Sequence, residues 1–521
     1  MDTFRDISAI SFRLGNVSTF LTLLFIFGAA LVWHSYIKPR PALPPGPRKL
    51  PFIGNLHQTP NKSPWITYKK WHEKYGPIIS LKYGQKTVIS LGSYEVARDL
   101  LDKRSDIYSS RPQMVFASDC LNKGLNTALL PYGERWRIHH RLLATVLNAR
   151  MSQAYRRLQE VESTQLVYEL LSSNCFGQHF RRYTTSLTFA LAYGKRIKCS
   201  DEPELREIEY LTTTLSESVF DFRSLLVELF PTLNYLPRFL APWKRIGDRY
   251  HEQASALFMR CMMEAQKSNS WNWTKELMTR NEEYALPDKE LSHVLGTLFE
   301  ASTETTPKVL EVFVLASVLH PAAVRRAQQE LDSVVGPDRL PAFEDMSKLP
   351  YITAFMSEVL RWRPITPLGL PHATTKSDEY LGYHIPEGAA VLATNWALDQ
   401  DEKLFPNPLD FRPERWLEQP NLPLSAFGFG RRVCPGNYIA RNSLLIVISR
   451  VLWAYNINHS YKDGKRMKIS PWDMAATGTV CSPAPFEVSF EVRSARHRHV
   501  IEKEWHLTEK DEISMLLPGL P

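Results

Sequence analysis

Cys434 stands in the run Phe427-Gly428-Phe429-Gly430-Arg431-Arg432-Val433-Cys434-Pro435-Gly436, where an apolar helical stretch begins. A helix N-terminus presents free N–H groups and positive potential, which lowers a thiol's pKa and favours thiolate. The flanking glycines let backbone approach a flat ligand closely. A lone cysteine is usually a small buried hydrophobe, so the weight falls on its neighbours. Glu358-Val359-Leu360-Arg361 places opposite charges at i and i+3 on one helix face. On a surface, such a pair contributes only about a few tenths of a kcal/mol. Ala301-Ser302-Thr303-Glu304-Thr305-Thr306-Pro307 sets an acid and hydroxyls between two apolar stretches, which argues for an interior position. Pro307 cannot donate to the carbonyl of Thr303, so an opened or kinked helix is expected beside Thr305. Trp136-Arg137-Ile138-His139-His140-Arg141 reads as a basic helix face.

The elements that position these residues are mostly helical. A β-like patch covers Ile78–Tyr83 and Thr87–Leu91, joined by a turn containing Gly84. Helical periodicity then dominates up to Arg363. The longest helix is expected from after Pro287 to His320, about 50 Å if continuous. Glu358 and Arg361 fall on a helix predicted over Tyr351–Trp362. From Pro364 the texture turns to loops with short strands such as Ala389–Leu392. A last long helix is expected over about Asn437 to Tyr455. The class is therefore mainly α with a smaller β portion. No internal repeat breaks residues 52–495, which read as one large domain, and the charged stretch 496–521 reads as a solvated tail.

The cysteine run resembles the haem-binding loop of the cytochrome P-450 family, FxxGxRxCxG, at Phe427, Gly430, Arg432, Cys434 and Gly436. The resemblance extends over almost the whole body in the family's order, and it implies the cytochrome P-450 fold as a single haem domain. By that resemblance Cys434 is the metal ligand, the thiolate proximal to the iron of haem b, whose electron donation favours O–O cleavage. Phe427 would shield the sulfur, Arg432 would pair with a haem propionate, and Gly436 would complete the binding loop. Glu358 and Arg361 resemble the family's ExxR, joined by Arg415 in Phe411-Arg412-Pro413-Glu414-Arg415, a structural charge network under the cysteine loop. Glu304 and Thr305 resemble the acid–alcohol pair that relays protons to dioxygen. Ser302 occupies the family's usual glycine, which implies a narrower or differently bonded oxygen groove. Trp136 and His140 resemble WxxxR with histidine at the last position, which implies a pH-dependent propionate clamp. His372 is a further propionate partner. The implied substrate contacts include Phe116, Leu298, Ala301, Leu368 and Val480, mostly apolar, so a hydrophobic or aromatic molecule is expected. No charged residue in those stretches stands out as an anchor for an ionic substrate.

The termini and charge add a setting. Leu14–Ile37 is 24 residues without Asp, Glu, Lys or Arg. As a helix it would reach roughly 36 Å, enough to cross a hydrocarbon core of about 30 Å. The competing reading is a cleavable signal peptide. Lys38, Arg40, Arg48 and Lys49 follow with no acid among them, so the positive-inside rule places residues 1–13 in the lumen and the body in the cytosol. That orientation predicts unmodified sequons at Asn61, Asn272 and Asn458. Residues 38–51, with Pro39, Pro41, Pro44, Pro45, Pro47 and Pro51, form a stiff hinge. Six cysteines without a CxxC exclude a disulfide framework or a cysteine-rich zinc site. A mean hydropathy of -0.27 argues against a multi-span protein. The net charge of +8 suits an acidic partner. The resemblance names that partner as an NADPH–cytochrome reductase supplying flavin electrons, with cytochrome b5 as a second donor. It also implies a single-pass protein of the endoplasmic reticulum membrane. No nucleic-acid partner is expected. The stretches Arg361–Pro364 and Pro371–Thr374 look like those of microsomal fungal enzymes that tailor secondary metabolites. The expected activity is a monooxygenase inserting one oxygen atom from O2. The alternative is oxidative phenol or aryl coupling, or desaturation, at the same centre. An isomerase, a non-catalytic haem or lipid binder and a thiol hydrolase each leave one or more of these motifs unexplained.

Overall fold

The computed structural model describes residues 42–199, 201–220, 222–477, 480–508 and 512–517. The expected anchor, 14–37, lies outside the described residues. Among those described, no single helix is long and apolar enough to cross a membrane. Two units separate. In the smaller, the amide of His384 donates to Ala42 O at 2.9 Å, beside a hairpin whose turn residues Leu381 and Gly382 both have positive φ. The larger holds the rest of the described chain from Pro45 to Asp378 and from Pro386 onward.

In the larger unit the chain from Pro45 packs at once on the first strand. Ser80 N–H donates to Pro45 O at 2.9 Å, and a Cβ on Gly46 would lie 2.2 Å from Ser80 O. Strands β1 (Ile78–Tyr83) and β2 (Lys86–Leu91) pair antiparallel with Ile78 opposite Leu91. β2 continues in parallel to β4 (Ala390–Ala393), and β3 (His372–Ala373) closes the sheet in the order β1-β2-β4-β3. This sheet brings His372 beside segments far away in sequence.

The helical body is built from α1 (Glu134–Leu147), α2 (Arg156–Glu169), α3 (Phe176–Tyr193), α4 (Pro203–Phe220), α5 (Pro242–Lys267), α6 (Asp288–Leu319), α7 (Pro350–Trp362) and α8 (Asn437–Ala454). α6 starts after Pro287 with Asp288 and Glu290 in its first turn, acids that suit the positive end of a helix. It is buried along most of its length and packs against α3 and α5. It is continuous across Pro307, so the missing amide removes one hydrogen bond without ending the helix. α7 begins at Pro350, and its Tyr351 and Ile352 amides donate to the Glu330 carboxylate at 2.9 and 3.0 Å. It stops at Trp362 because Pro364 disfavours helical backbone at Arg363, which takes φ -137° and ψ 81°.

The described part of the tail packs one face against the body, where a free solvated extension was expected. Residues Ala495–Thr508 form α9, which buries His497, Val500 and Ile501 and packs against α2. Trp505 stacks on Tyr168 with ring centroids 5.8 Å apart. The apolar side chains are few but share one face, which an average over a charged segment hides.

Candidate functional site

The cysteine loop is held by its own backbone and by its neighbours. Cys434 N–H donates to Phe427 O at 2.8 Å, and Cys434 O accepts from Asn437 Nδ2 at 2.7 Å. Gly430 has φ +57°, and a Cβ there would lie 2.0 Å from Leu101 O. That glycine serves close backbone packing within the protein, a different reason from approach to a flat ligand. The thiol also departs from expectation. Burial pushes the Cys434 pKa up, and the hydrogen bond from the Gly436 backbone offsets this only in part. Desolvation thus opposes the thiolate, and a bound cation would supply what favours it.

Cys434 faces a cavity of about 330 Å³. Phe427, Arg432, Trp136, His140 and His372 line it, as do Thr305, Leu298 and Ala301. Gly436 sits in the loop, 3.9 Å from Cys434 Sγ measured from an ideal Cβ position. Three expected substrate contacts are elsewhere. Phe116 is buried in the hydrophobic core, with its amide on Glu228 Oε1 at 2.8 Å. Leu368 packs against the Trp65–Trp396 cluster, and Val480 lies on the strand Val480–Pro483 without reaching the cavity. Phe116 and Leu368 are taken up by packing elsewhere.

The cavity rim is cationic. Arg111, which sequence reasoning missed, is buried there, donating from Nε to Ala128 O at 2.9 Å and from Nη1 to Pro371 O at 2.7 Å. Arg432 donates from Nε to Ser109 O and from Nη2 to Leu130 O, both at 2.7 Å, and lies 4.4 Å from the Trp136 ring centroid. Burial, and then the charge of Arg432, lowers Arg111 to about 9; burial lowers Arg432 to about 10. Among the described residues no acid lines the cavity. A buried and a half-buried guanidinium without counter-charge, apolar walls and a half-buried thiol fit a planar, dianionic, metal-bearing guest such as haem. His372 gives its Nδ1–H to Tyr108 O at 2.8 Å, and burial brings its pKa down to about 3. Neutral His372 therefore has no second N–H to donate. His140 stacks on Trp136, ring centroids 4.8 Å apart, and burial followed by the Arg432 charge lowers its pKa. Burial thus favours the neutral form of both histidines.

Behind the loop, Glu358 accepts from Arg361 Nε and Nη2 at 2.9 and 2.7 Å, Arg415 Nε at 3.1 Å and Trp416 Nε1 at 2.9 Å. Glu358 and Arg361 are fully buried, and Arg415 nearly so. Arg361 Nη1 also donates to Asp399 O at 2.8 Å. The Asp399 carboxylate in turn accepts from Tyr94 OH at 2.5 Å and Ser425 Oγ at 2.7 Å. Ser425 leads into Phe427, so Asp399 joins the charge network to the cysteine loop. No local pattern marks this residue. Burial raises its pKa from 3.8 to about 7, against the hydrogen bonds from Tyr94 and Ser425. An acid raised on folding contributes stability that is complete below 3.8 and fades as pH climbs toward about 7. Asp399→Asn should remove this dependence, so wild type should gain on the variant as pH falls through the window. Thermal unfolding at both ends checks it; a pH-independent difference between the proteins overturns it.

On α6 the acid and the alcohol part company. Thr305 lines the main cavity, its hydroxyl on Ala301 O at 2.9 Å. Glu304 instead faces a second cavity of about 310 Å³ with Arg181, and Lys308 Nζ lies 3.8 Å from its carboxylate. Ser302 does not narrow the groove. Its hydroxyl donates to Phe299 O at 3.0 Å and meets Thr188 Oγ1 on α3 at 2.8 Å. Ser302→Gly should cost about 1–2 kcal/mol through the lost bond and helix propensity, leaving product formed per electron unchanged. Denaturant unfolding beside product-to-NADPH stoichiometry checks this.

Fold and site together define a helical enzyme body built to hold a thiolate-ligated planar cofactor. The cytochrome P450 family model matches residues 44–490. The chain is 47% identical over 495 residues to the cytochrome P450 monooxygenase FrzL of a Cladobotryum species, covering 94% of this chain and 96% of that one. It is likewise 47% identical to the monooxygenase peniB of Penicillium patulum, over 94% of this chain and 93% of the relative. With aneD of Aspergillus aculeatus the identity is 44%, over 96% and 98%. The chain belongs to the cytochrome P450 family, and its enzyme class is that of the cytochrome P450 monooxygenases.

Proposed function

We propose that this protein inserts one oxygen atom from O2 into a hydrophobic small molecule, a secondary-metabolite intermediate. The electrons come from NADPH through a flavoprotein reductase. The observation that carries this reading is the half-buried Cys434 thiol facing an apolar cavity whose rim holds Arg111 and Arg432. Haem bound there supplies the activation of O2. Cys434 would ligate the iron, and Arg111, Arg432 and Trp136 would hold the propionate edge. His372 joins them as a donor once a carboxylate's charge protonates it. Thr305 holds a hydroxyl proton at the cavity wall, and Glu304 moves protons from the second cavity by turning away from Lys308. Leu298, Ala301 and Val309 exclude water and favour an apolar substrate. Arg137, Arg141 and Arg431 are exposed, and Arg137 and Arg431 both lie over the Tyr132 ring, a basic face that suits an acidic reductase. The segment 14–37 would anchor the chain in the endoplasmic reticulum membrane, with the body in the cytosol.

Co-expression with a reductase and mass analysis of candidate metabolites tests the reaction. A product heavier by one oxygen is expected. A dimer of the substrate less two hydrogens, or a product simply lighter by two hydrogens, would replace insertion by coupling or desaturation.

A further inference from the structure

We propose that Asn395 anchors the substrate, its Oδ1 accepting a hydrogen bond from a neutral N–H or O–H donor on an otherwise hydrophobic molecule; this rests on the haem–thiolate reading above. Asn395 stands two residues beyond β4, is 3% exposed and lines the cavity faced by Cys434. Its Nδ2 donates to Thr366 O at 2.9 Å and reaches Thr366 Oγ1 at 3.3 Å. Thr366 O also accepts from the Gly369 amide, and Pro367 O from the Trp396 amide, both at 2.9 Å. Residues 366–369 are therefore tied to 395–396, and the carboxamide is fixed in orientation. Turned over, it would set Oδ1 against the Thr366 carbonyl oxygen. Oδ1 sits beside Gly369, 3.9 Å from the position a Cβ would take there, and Gly369 lines the same cavity.

Three observations separate this oxygen from one half of a structural tie. First, only the nitrogen is used: among the described residues nothing donates to Oδ1. Nor is Oδ1 one of the fully enclosed polar atoms that lack a partner, so it keeps surface, and a residue this buried keeps it toward the cavity. Second, among the described residues of that wall Asn395 alone carries an amide or carboxylate oxygen in its side chain. The wall's other polar groups are donors or are engaged: Thr297 and Thr305 donate to His293 O and Ala301 O at 2.8 and 2.9 Å, and Thr127 pairs with His139. Third, haem would leave Oδ1 unmet, because its ring nitrogens are metallated and its ionised propionates only accept. An apolar guest that expels water from this wall strands the oxygen, whereas a guest with a donor satisfies it. Arg111 and Arg432 repel a cation from the same cavity, which leaves a neutral donor such as an amide or heteroaromatic N–H. Leu298, Ala301 and Val309 would take the hydrocarbon part.

The test uses the haem-reconstituted holoenzyme and two flat probes of nearly equal shape, neither able to ligate iron. Carbazole has one ring N–H; fluorene has CH2 in its place. Optical difference titration gives the fluorene-to-carbazole ratio of Kd, and comparing that ratio between proteins cancels the probes' different hydration. Wild type should exceed Asn395→Leu in this ratio by about tenfold, because leucine keeps the volume and removes the acceptor. Asn395→Ala, which releases volume instead, should show the same fall. Thr366→Val keeps the carbonyl that orients Asn395 and should keep the wild-type ratio. In wild type alone, N-methylcarbazole is more apolar than carbazole but has no N–H, and it should bind more weakly. A ratio unchanged in both Asn395 variants would overturn the proposal, as would N-methylcarbazole binding wild type more tightly than carbazole. A wild type lacking the thiolate carbon-monoxide spectrum would instead overturn the haem–thiolate reading on which it stands.

Discussion

Glu358→Gln is expected to yield protein that is destabilised by about 3–5 kcal/mol and does not retain haem. The carboxylate is fully buried and is the shared acceptor for Arg361, Arg415, Trp416 and the Arg412 amide. Glutamine keeps the shape but removes the charge, and its NH2 group turns a donor toward guanidinium donors. Two buried cations then lose their counter-ion, which is the costly way to break such a network. The damage passes to the cysteine loop along Arg361, the Asp399 carbonyl, the Asp399 carboxylate and Ser425. Thermal unfolding together with haem-to-protein ratio measures it. A variant that melts with wild type and carries full haem would show the network to be dispensable.

Cys434→Ala should do the opposite: activity falls below detection while the fold stays within about 1 kcal/mol of wild type in the haem-free state. The sulfur's polar contact is one backbone hydrogen bond from Gly436, and its remaining exposure is toward the cavity. The loop itself is held by the Cys434 amide, which bonds to Phe427 O at 2.8 Å and which alanine retains. Product mass analysis and unfolding of the apoprotein separate the two effects. Turnover by the alanine protein would dismiss the thiolate as the ligand. Paired with Glu358→Gln, the result distinguishes a residue that holds the site from one that is the site.

The sequence by itself determined the helical class, the bounds of its principal elements and which residues are chemically equipped. Pro287 and Pro364 bracket α6 and α7 because proline disrupts helical backbone locally, whatever the fold around it. The i, i+3 spacing of Glu358 and Arg361 likewise sets one face, and the cysteine run carries its own spacing. Only the tertiary structure decided what those faces meet. α6 is buried on nearly every side, so its periodicity could not say that Thr305 meets one cavity, Glu304 another, and Ser302 the neighbouring helix. Arg111 and Asp399 carry no local signature, since each takes its role from residues brought together by long-range packing. The direction of the Cys434 shift belongs to the same class: a helix terminus is local and legible, whereas desolvation is set by everything that surrounds the sulfur.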